Sequence, residues 1–311
     1  MILLYLLTGF IVGMGLSVQT SINGRLRKAV GSPFLTSLIS FLVSTIFIFI
    51  LVCMQTDAQL PVLSDLPAWI WFGGCFGCIF LTGNILLFPK LGAVQTVVFP
   101  VLGQILAGLI IDEFGAFHAP LSPMTPVKAL GAALVLSGVC GIVYFSHPKR
   151  SDGQSAPSRT SASQWFWRIL GICTGACSTL QITINGQLGL ALHSSIRAAL
   201  VSFIVGSLTL FVITCAQRPK LALSSPPDGK NPWWMWLGGF LGALYVIGNA
   251  WISPQIGTGT AVVVGLLGLM CAGLVIDQTG MLQSPKKPVT YPQILSLCII
   301  FGGVCLIRLL A

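Results

Sequence analysis

The chain has 311 residues, of which 55% are hydrophobic and 7% charged, with a formal net charge of +9. Ordinary soluble domains carry about 25% charged residues, so this chain has too little polar surface to cover a core in water. The composition excludes a soluble enzyme, a disordered chain and a disulfide-stapled secreted domain.

A membrane-spanning helix needs about 20 mostly apolar residues. Ten stretches qualify, near 2–22, 34–54, 68–88, 93–111, 126–146, 166–184, 196–214, 233–252, 258–276 and 291–310. The first has no basic residue before Arg25, which favours a retained helix over a cleaved signal segment. Near its end Gln19 and Asn23, four apart, share one face. The second carries Ser40 near its start and Ser44 and Thr45 deeper in. The third opens on Trp69 and Trp71, which read as interfacial anchors, and has Asn84 near its end. The fourth holds Pro100 and Gln104 and is followed by Asp112, Glu113 and Gly115. After the fifth, Ser146–Gln164 reads as a polar linker. The sixth ends in Gln181 and Asn185, and the seventh starts with Ser202. The eighth brings Trp233, Trp234 and Trp236, then Tyr245, Asn249 and Trp251, and the ninth ends at Asp277 and Gly280.

These features recur because the chain repeats itself. Residues 9–51 align without a gap on 171–213 at an offset of 162, pairing Gly13/Gly175, Gln19/Gln181, Asn23/Asn185 and Ser40/Ser202. A second block, at an offset of 165, pairs Trp69/Trp234, Gly73/Gly238, Gly77/Gly242, Asn84/Asn249, Pro89/Pro254, Gly92/Gly257, Gly103/Gly268 and Asp112/Asp277. The unit is five helices long. The expected organisation is a first repeat over 1–147, a cytoplasmic linker over 148–164 and a second repeat over 165–311.

A tandem copy of an odd number of helices enters the membrane from the opposite side. The loop charges agree: of the 16 basic residues, all but Lys128, Arg197 and Arg308 fall on the side opposite the N-terminus. The positive-inside rule makes that side cytoplasmic and puts both termini outside. Matched loops also exchange charge. Arg25, Arg27 and Lys28 align with Gln187, Gly189 and Leu190, and Lys90 with Gln255. The expected fold is all-α: ten transmembrane helices as two inverted five-helix repeats, an arrangement typical of secondary transporters.

The segments VQTSINGRL and LQITINGQL, which open the halves, resemble the drug/metabolite transporter superfamily, as do GGCFGCIFLTGN and GGFLGALYVIGN. Within it the chain is similar to the YdcZ-like family, whose members are usually single five-helix proteins. The resemblance covers both halves except the linker. It implies a bacterial inner-membrane protein working by alternating access, and a fused form of what is often two subunits, hence a monomer. It says nothing about substrate.

Polar residues inside a bilayer are costly and often functional. The candidate substrate-binding or gate residues are Gln19, Asn23, Ser40, Asn84, Gln104, Gln181, Asn185, Ser202, Tyr245 and Asn249. By helical rise Gln19, Asn23, Ser40 and Asn84 fall near the cytoplasmic mouth and their twins near the outer one, while Gln104 and Tyr245 fall at mid-depth. Two roles stay open for them: lining gates and vestibules, or clamping helices together, with Asn23-Gly24 and Asn185-Gly186 as helix C-caps. Gln104 has Leu269 as its twin, so symmetry does not require it. No carboxylate falls at mid-membrane, which points to a neutral, zwitterionic or weakly amphiphilic organic solute. Cys75 and Cys78 have redox-motif spacing but sit among glycines without a second pair, so they read as packing residues. No phosphate loop, nucleophile elbow or zinc signature occurs. The expectation is a non-enzymatic transporter without cofactor, with a small-molecule substrate and membrane lipid as partners and no nucleic acid. The alternatives are a lipid or headgroup flippase on the same fold and a non-transporting scaffold.

Overall fold

The computed structural model describes residues 1–55, 66–145, 161–219, 223–224, 231–283 and 291–309. Among the described residues there is helix and no strand. The α-helices are α1 (Ile2–Val30), α2 (Pro33–Cys53), α3 (Gly73–Phe114), α4 (Pro126–Phe145), α5 (Ser161–Ala191), α6 (Ser195–Gln217), α7 (Gly238–Ile256), α8 (Thr258–Thr279) and α9 (Tyr291–Leu309). Five segments are long and apolar enough to cross a membrane: Ile2–Val30, Pro33–Cys53, Ser195–Gln217, Trp233–Ile256 and Thr258–Ile276. Most of the expected linker lies outside the described residues, but its last four residues are the first turn of α5.

Local chemistry explains the boundaries, and it explains them twice. Ser32 and Ser194, an aligned pair, cap α2 and α6: each hydroxyl accepts from the backbone N–H three residues on. Short 3-10 turns, Ala68–Trp71 and Trp233–Trp236, lead into α3 and α7. Gly115 and Gly280 end α3 and α8 in the left-handed conformation, with the cap N–H bonded back to Ile111 and Ile276. The Asn-Gly pairs are not C-caps. Helix α1 runs on to Val30 and α5 to Ala191, so Asn23 and Asn185 lie inside their helices.

The surface is apolar and the interior is partly polar, the reverse of a soluble domain. Ile2, Leu3, Leu7, Ile11, Ile46, Phe49, Leu208 and Phe211 are exposed, while Gln19, Asn23, Ser178, Thr183 and Asn249 are buried. Apolar surface gains little by leaving lipid tails for protein, so helix packing here rests on close fit and interhelical hydrogen bonds. The close fit comes from glycine. A Cβ on Gly13 would collide with the backbone of Gly265, and one on Gly175 with that of Pro100. Gly268 and Gly103 stand in the same way against the carbonyls of Phe10 and Ile172. Each contact in one half recurs in the other with the partners exchanged. Helix α1 therefore lies along α7 and α8, and α5 lies along α3.

One element departs from the expected pattern. Most of span 68–88 and all of span 93–111 fall within the single helical segment α3, and Gly92 keeps helical backbone. Its aligned partner Gly257 has φ +81 and separates α7 from α8. Packing nevertheless divides α3 into two arms. Along the first arm Gly73, Gly77 and Gly83 meet Asn185, Gln181 and Thr174, running antiparallel to α5. Along the second, Gly103 meets Ile172 and Gly108 meets Thr179, running parallel to it. The chain therefore reverses direction between Gly83 and Gly103, in the stretch where hydropathy also divides the segment into two spans.

Candidate functional site

The polar candidates are carried on helices that cross between the halves. On α1, Gln19 and Asn23 are buried and face α7. The amide of Asn23 donates to Ser40 Oγ of α2 at 3.3 Å. On α5, Asn185 donates to Ser202 Oγ of α6 at 3.1 Å. Glycines make room for these side chains. A Cβ on Gly238 or Gly73 would strike Asn23 or Asn185, and one on Gly242 or Gly77 would strike Gln19 or Gln181. Ser44 donates to the carbonyls of Ser40 and of Gly239, at 2.9 and 2.6 Å, and so ties α2 to α7. Each half thus has an Asn–Ser bond inside it that is pressed against a glycine face of the other half.

Four of the candidates converge. Gln181 and Asn185 on α5, with Tyr245 and Asn249 on α7, line one crevice together with Ile182 and Val246. The crevice is too narrow for a water molecule, so this conformation is closed around it. Asn249 is held by its own helix, its amide donating to the Tyr245 carbonyl at 2.9 Å. Some acceptors are left over. Gln19 Oε1, Asn23 Oδ1 and Asn185 Oδ1 are buried without a protein hydrogen-bond partner. An unmet buried acceptor costs about 1–3 kcal/mol, so such groups call for an explanation.

The remaining candidates lie elsewhere. Gln104 is buried on the second arm of α3, where its carbonyl accepts from Thr179 at 3.0 Å. Asn84 is half-buried on the first arm, outside the crevice. Trp251 packs edge-on against Tyr5 at 5.1 Å. Cys75 and Cys78 serve packing, each facing α6 through Thr209 and the Gly206 carbonyl. The side chains of Gln95 and Asp277 lie outside the described residues.

Several interior contacts gave no sequence signal beyond a Ser or Thr in an apolar run. Thr183 donates to Thr258 at 3.0 Å, Ser253 to the Ile182 carbonyl at 3.3 Å and Thr82 to Ser37 at 3.1 Å. Thr45 and Ser207, hydroxyl to hydroxyl at 3.1 Å, are an aligned pair meeting each other across α2 and α6. Arg25 looked like a loop charge but is buried. Its guanidinium donates to Gln283 Oε1 at 2.9 Å and to Asn231 Oδ1 at 2.8 Å. Asp112 is also buried, and both its oxygens accept from the start of α8: Thr258 N–H at 3.0 Å and Gly259 N–H at 2.8 Å. Among the described residues no group of His, Cys, Asp and Glu could hold a metal ion.

An apolar exterior around an all-helical body with a polar seam defines an integral membrane protein. Comparison with known proteins narrows this. Residues 4–141 and 166–306 each match the family model described as "Putative inner membrane exporter, YdcZ", and the chain belongs to that family, within the drug/metabolite transporters. The Escherichia coli (strain K12) inner membrane protein YdcZ is 28% identical over 129 residues, 40% of this chain and 85% of the relative. That relative is therefore close to the length of one half of the chain. A protein of known crystal structure superposes with a TM-score of 0.68 at 14% identity, covering 99% of this chain and 97% of its own. At that identity the likeness shows the fold alone. The family and the apolar helices together make this a multi-pass inner-membrane protein.

Proposed function

We propose that this protein is a secondary-type transporter of ten spans in two inverted repeats, and that it moves a small neutral or zwitterionic organic solute by alternating access. The observation that carries the reading is the crevice that Gln181 and Asn185 of α5 form with Tyr245 and Asn249 of α7. The exchanged contacts support inversion. The end of α1 meets the start of α7 through Asn23 and Gly238, and α5 repeats this with α3 through Asn185 and Gly73. Helices packed this closely on glycine shift as stiff units between discrete packings.

The lining of the crevice favours the solute class. It offers amides and a phenol but no charge, and the buried Asn185 Oδ1 is an acceptor awaiting a donor. A solute bearing hydroxyl or amino hydrogens satisfies it, and the described family points to export. The amide N–H groups of Asn23 and Asn185 take the clamping role toward Ser40 and Ser202, leaving Asn185 Oδ1, Gln181, Tyr245 and Asn249 as the solute contacts.

The test is a thermal-stability screen of the purified protein against a panel of polar metabolites, followed by counterflow in proteoliposomes with any stabilising compound. A bound solute raises the melting temperature by mass action. Gln181→Leu abolishes the shift and the counterflow while the unliganded protein melts as before. Unchanged counterflow in Gln181→Leu and Asn249→Leu refutes the site. A crevice that binds no member of the panel and stays closed in every captured state favours the scaffold reading instead.

A further inference from the structure

The first turn of α8 has no cap of its own. It follows Gly257, whose backbone ends α7, and no side chain next to it accepts from its free N–H groups. The cap comes from the other half of the chain. Asp112, one residue past the apolar run 93–111, places one carboxylate oxygen on Thr258 N–H and the other on Gly259 N–H. The fit is tight: Gly259 is a glycine where a Cβ would lie 2.7 Å from Asp112 Oδ2, and Gly108 backs onto it from α3. Beside the carboxylate is a cavity of about 20 Å³, lined by Ser122, Lys128, Thr260 and apolar residues. That is room for about one water. The same junction is pinned by the Thr183–Thr258 bond from α5.

We propose that Asp112 is a proton-binding site whose occupancy sets whether the two halves are closed at this face. The proposal rests on the reading that the halves move. When α8 docks on α3 the carboxyl leaves water, and when they part it is hydrated again. Burial disfavours the ionised form, and the two N–H bonds favour it. The balance goes to burial, which pushes Asp112 up to about 6 from the usual 3.8, against the pull of the two backbone N–H groups and of Lys128. The charged and titratable neighbours are few. Lys128 on α4 is held by Ser122 Oγ and the Pro123 carbonyl, and Glu113 on α3 accepts from Met124 N–H. His118, on the turn after α3, packs on Trp69. The described residues of α8 in the cavity contribute none.

The sign follows from linkage. The closed face binds the proton more tightly than the open one, so falling pH favours closure and rising pH through about 6 favours opening. Hydrogen–deuterium exchange reads this directly, since the two amides that Asp112 holds are exchangeable. In nanodiscs, after correction for the intrinsic rate, exchange of a peptide covering Thr258–Val264 should rise roughly tenfold from pH 5 to pH 8. Asp112→Asn should remove that dependence, and His118→Gln should retain it. A wild-type profile that is flat over this range overturns the proposal, as does dependence that survives in Asp112→Asn or vanishes in His118→Gln. If Asp112→Asn does not fold, the wild-type and His118→Gln profiles still decide. The assay needs no solute. Flux that fails beside an intact pH profile counts only against transport, and a flat profile beside intact flux counts only against the proton site.

Discussion

If the halves are held by glycine fits and not by apolar driving force, adding one methyl group in the right place should loosen the whole molecule. Gly175→Ala is the sharpest case. Its Cβ would stand 2.6 Å from the Pro100 carbonyl carbon and 2.7 Å from Pro100 Cα. Carbon atoms normally rest about 3.5–4.0 Å apart, so α5 and the second arm of α3 must separate by about 1 Å. Both neighbours are backbone and cannot rotate aside. Overpacking of this kind costs about 1–3 kcal/mol. The control is Gly24→Ala, also inside a helix, where a Cβ meets nothing within 4 Å. Both variants share the helix-propensity gain, so it cancels in the comparison. Denaturation with SDS in mixed micelles should place Gly175→Ala about 1–3 kcal/mol below Gly24→Ala. The aligned Gly13→Ala, whose Cβ would lie 2.8 Å from the Gly265 carbonyl carbon, should lose a similar amount. Equal stability of Gly175→Ala and Gly24→Ala refutes the reasoning.

Arg25→Gln should destabilise by about 2 kcal/mol, because it removes the buried guanidinium's charge-assisted hydrogen bonds to Asn231 and Gln283. Arg25→Lys should recover only part of that, since one ammonium does not replace the two-pronged fork; the same SDS titration checks both. An alkaline phosphatase fused after Ala311 should be active and a fluorescent protein there dark, because the charge pattern puts the C-terminus outside; the opposite result reverses the orientation. Residues 1–147 and 165–311 expressed apart should be degraded singly and stable together, since α1 and α5 each find their main packing surface in the other half; a stable lone half contradicts this.

What the amino-acid order made legible was whatever the two copies share. Asn23/Asn185 and Ser40/Ser202 stood out because symmetry repeats them, and the structure joins each Asn to its Ser. Hydroxyls such as Thr183 and Ser253 did not, since a lone Thr or Ser in an apolar helix commonly bonds to its own backbone. The burial of Arg25 and Asp112 was not legible for another reason. Both fall at the ends of apolar runs, where a charge usually faces water, and their burial depends on partners far along the chain: Asn231 and Gln283 for one, Thr258 and Gly259 for the other. Hydropathy along a single helix carries no information about such partners.

The hairpin glycines make the same point from the other direction. Gly92 and Gly257 are aligned and sit three residues after aligned prolines, so sequence treats them alike. The structure does not: Gly92 stays helical within α3, while Gly257 takes φ +81 and leaves the start of α8 to be capped by Asp112. Two near-equivalent sequences in two different conformations mean that neither conformation is dictated locally, and that packing across the halves selects between them. Alanine separates the two positions. At Gly257 the backbone (φ 81, ψ 149) lies in a region essentially reserved for glycine and penalises a Cβ by about 1–3 kcal/mol, and that atom would also press on Asp112 Oδ2 at 3.3 Å. At Gly92 the helical backbone accepts alanine and should gain up to about 1 kcal/mol. SDS titration should therefore rank Gly92→Ala at or above the wild type and Gly257→Ala clearly below it. Equal losses at both positions would mean that the two hairpins share one conformation, and the asymmetry that exposes the α8 amides to Asp112 would have to be abandoned.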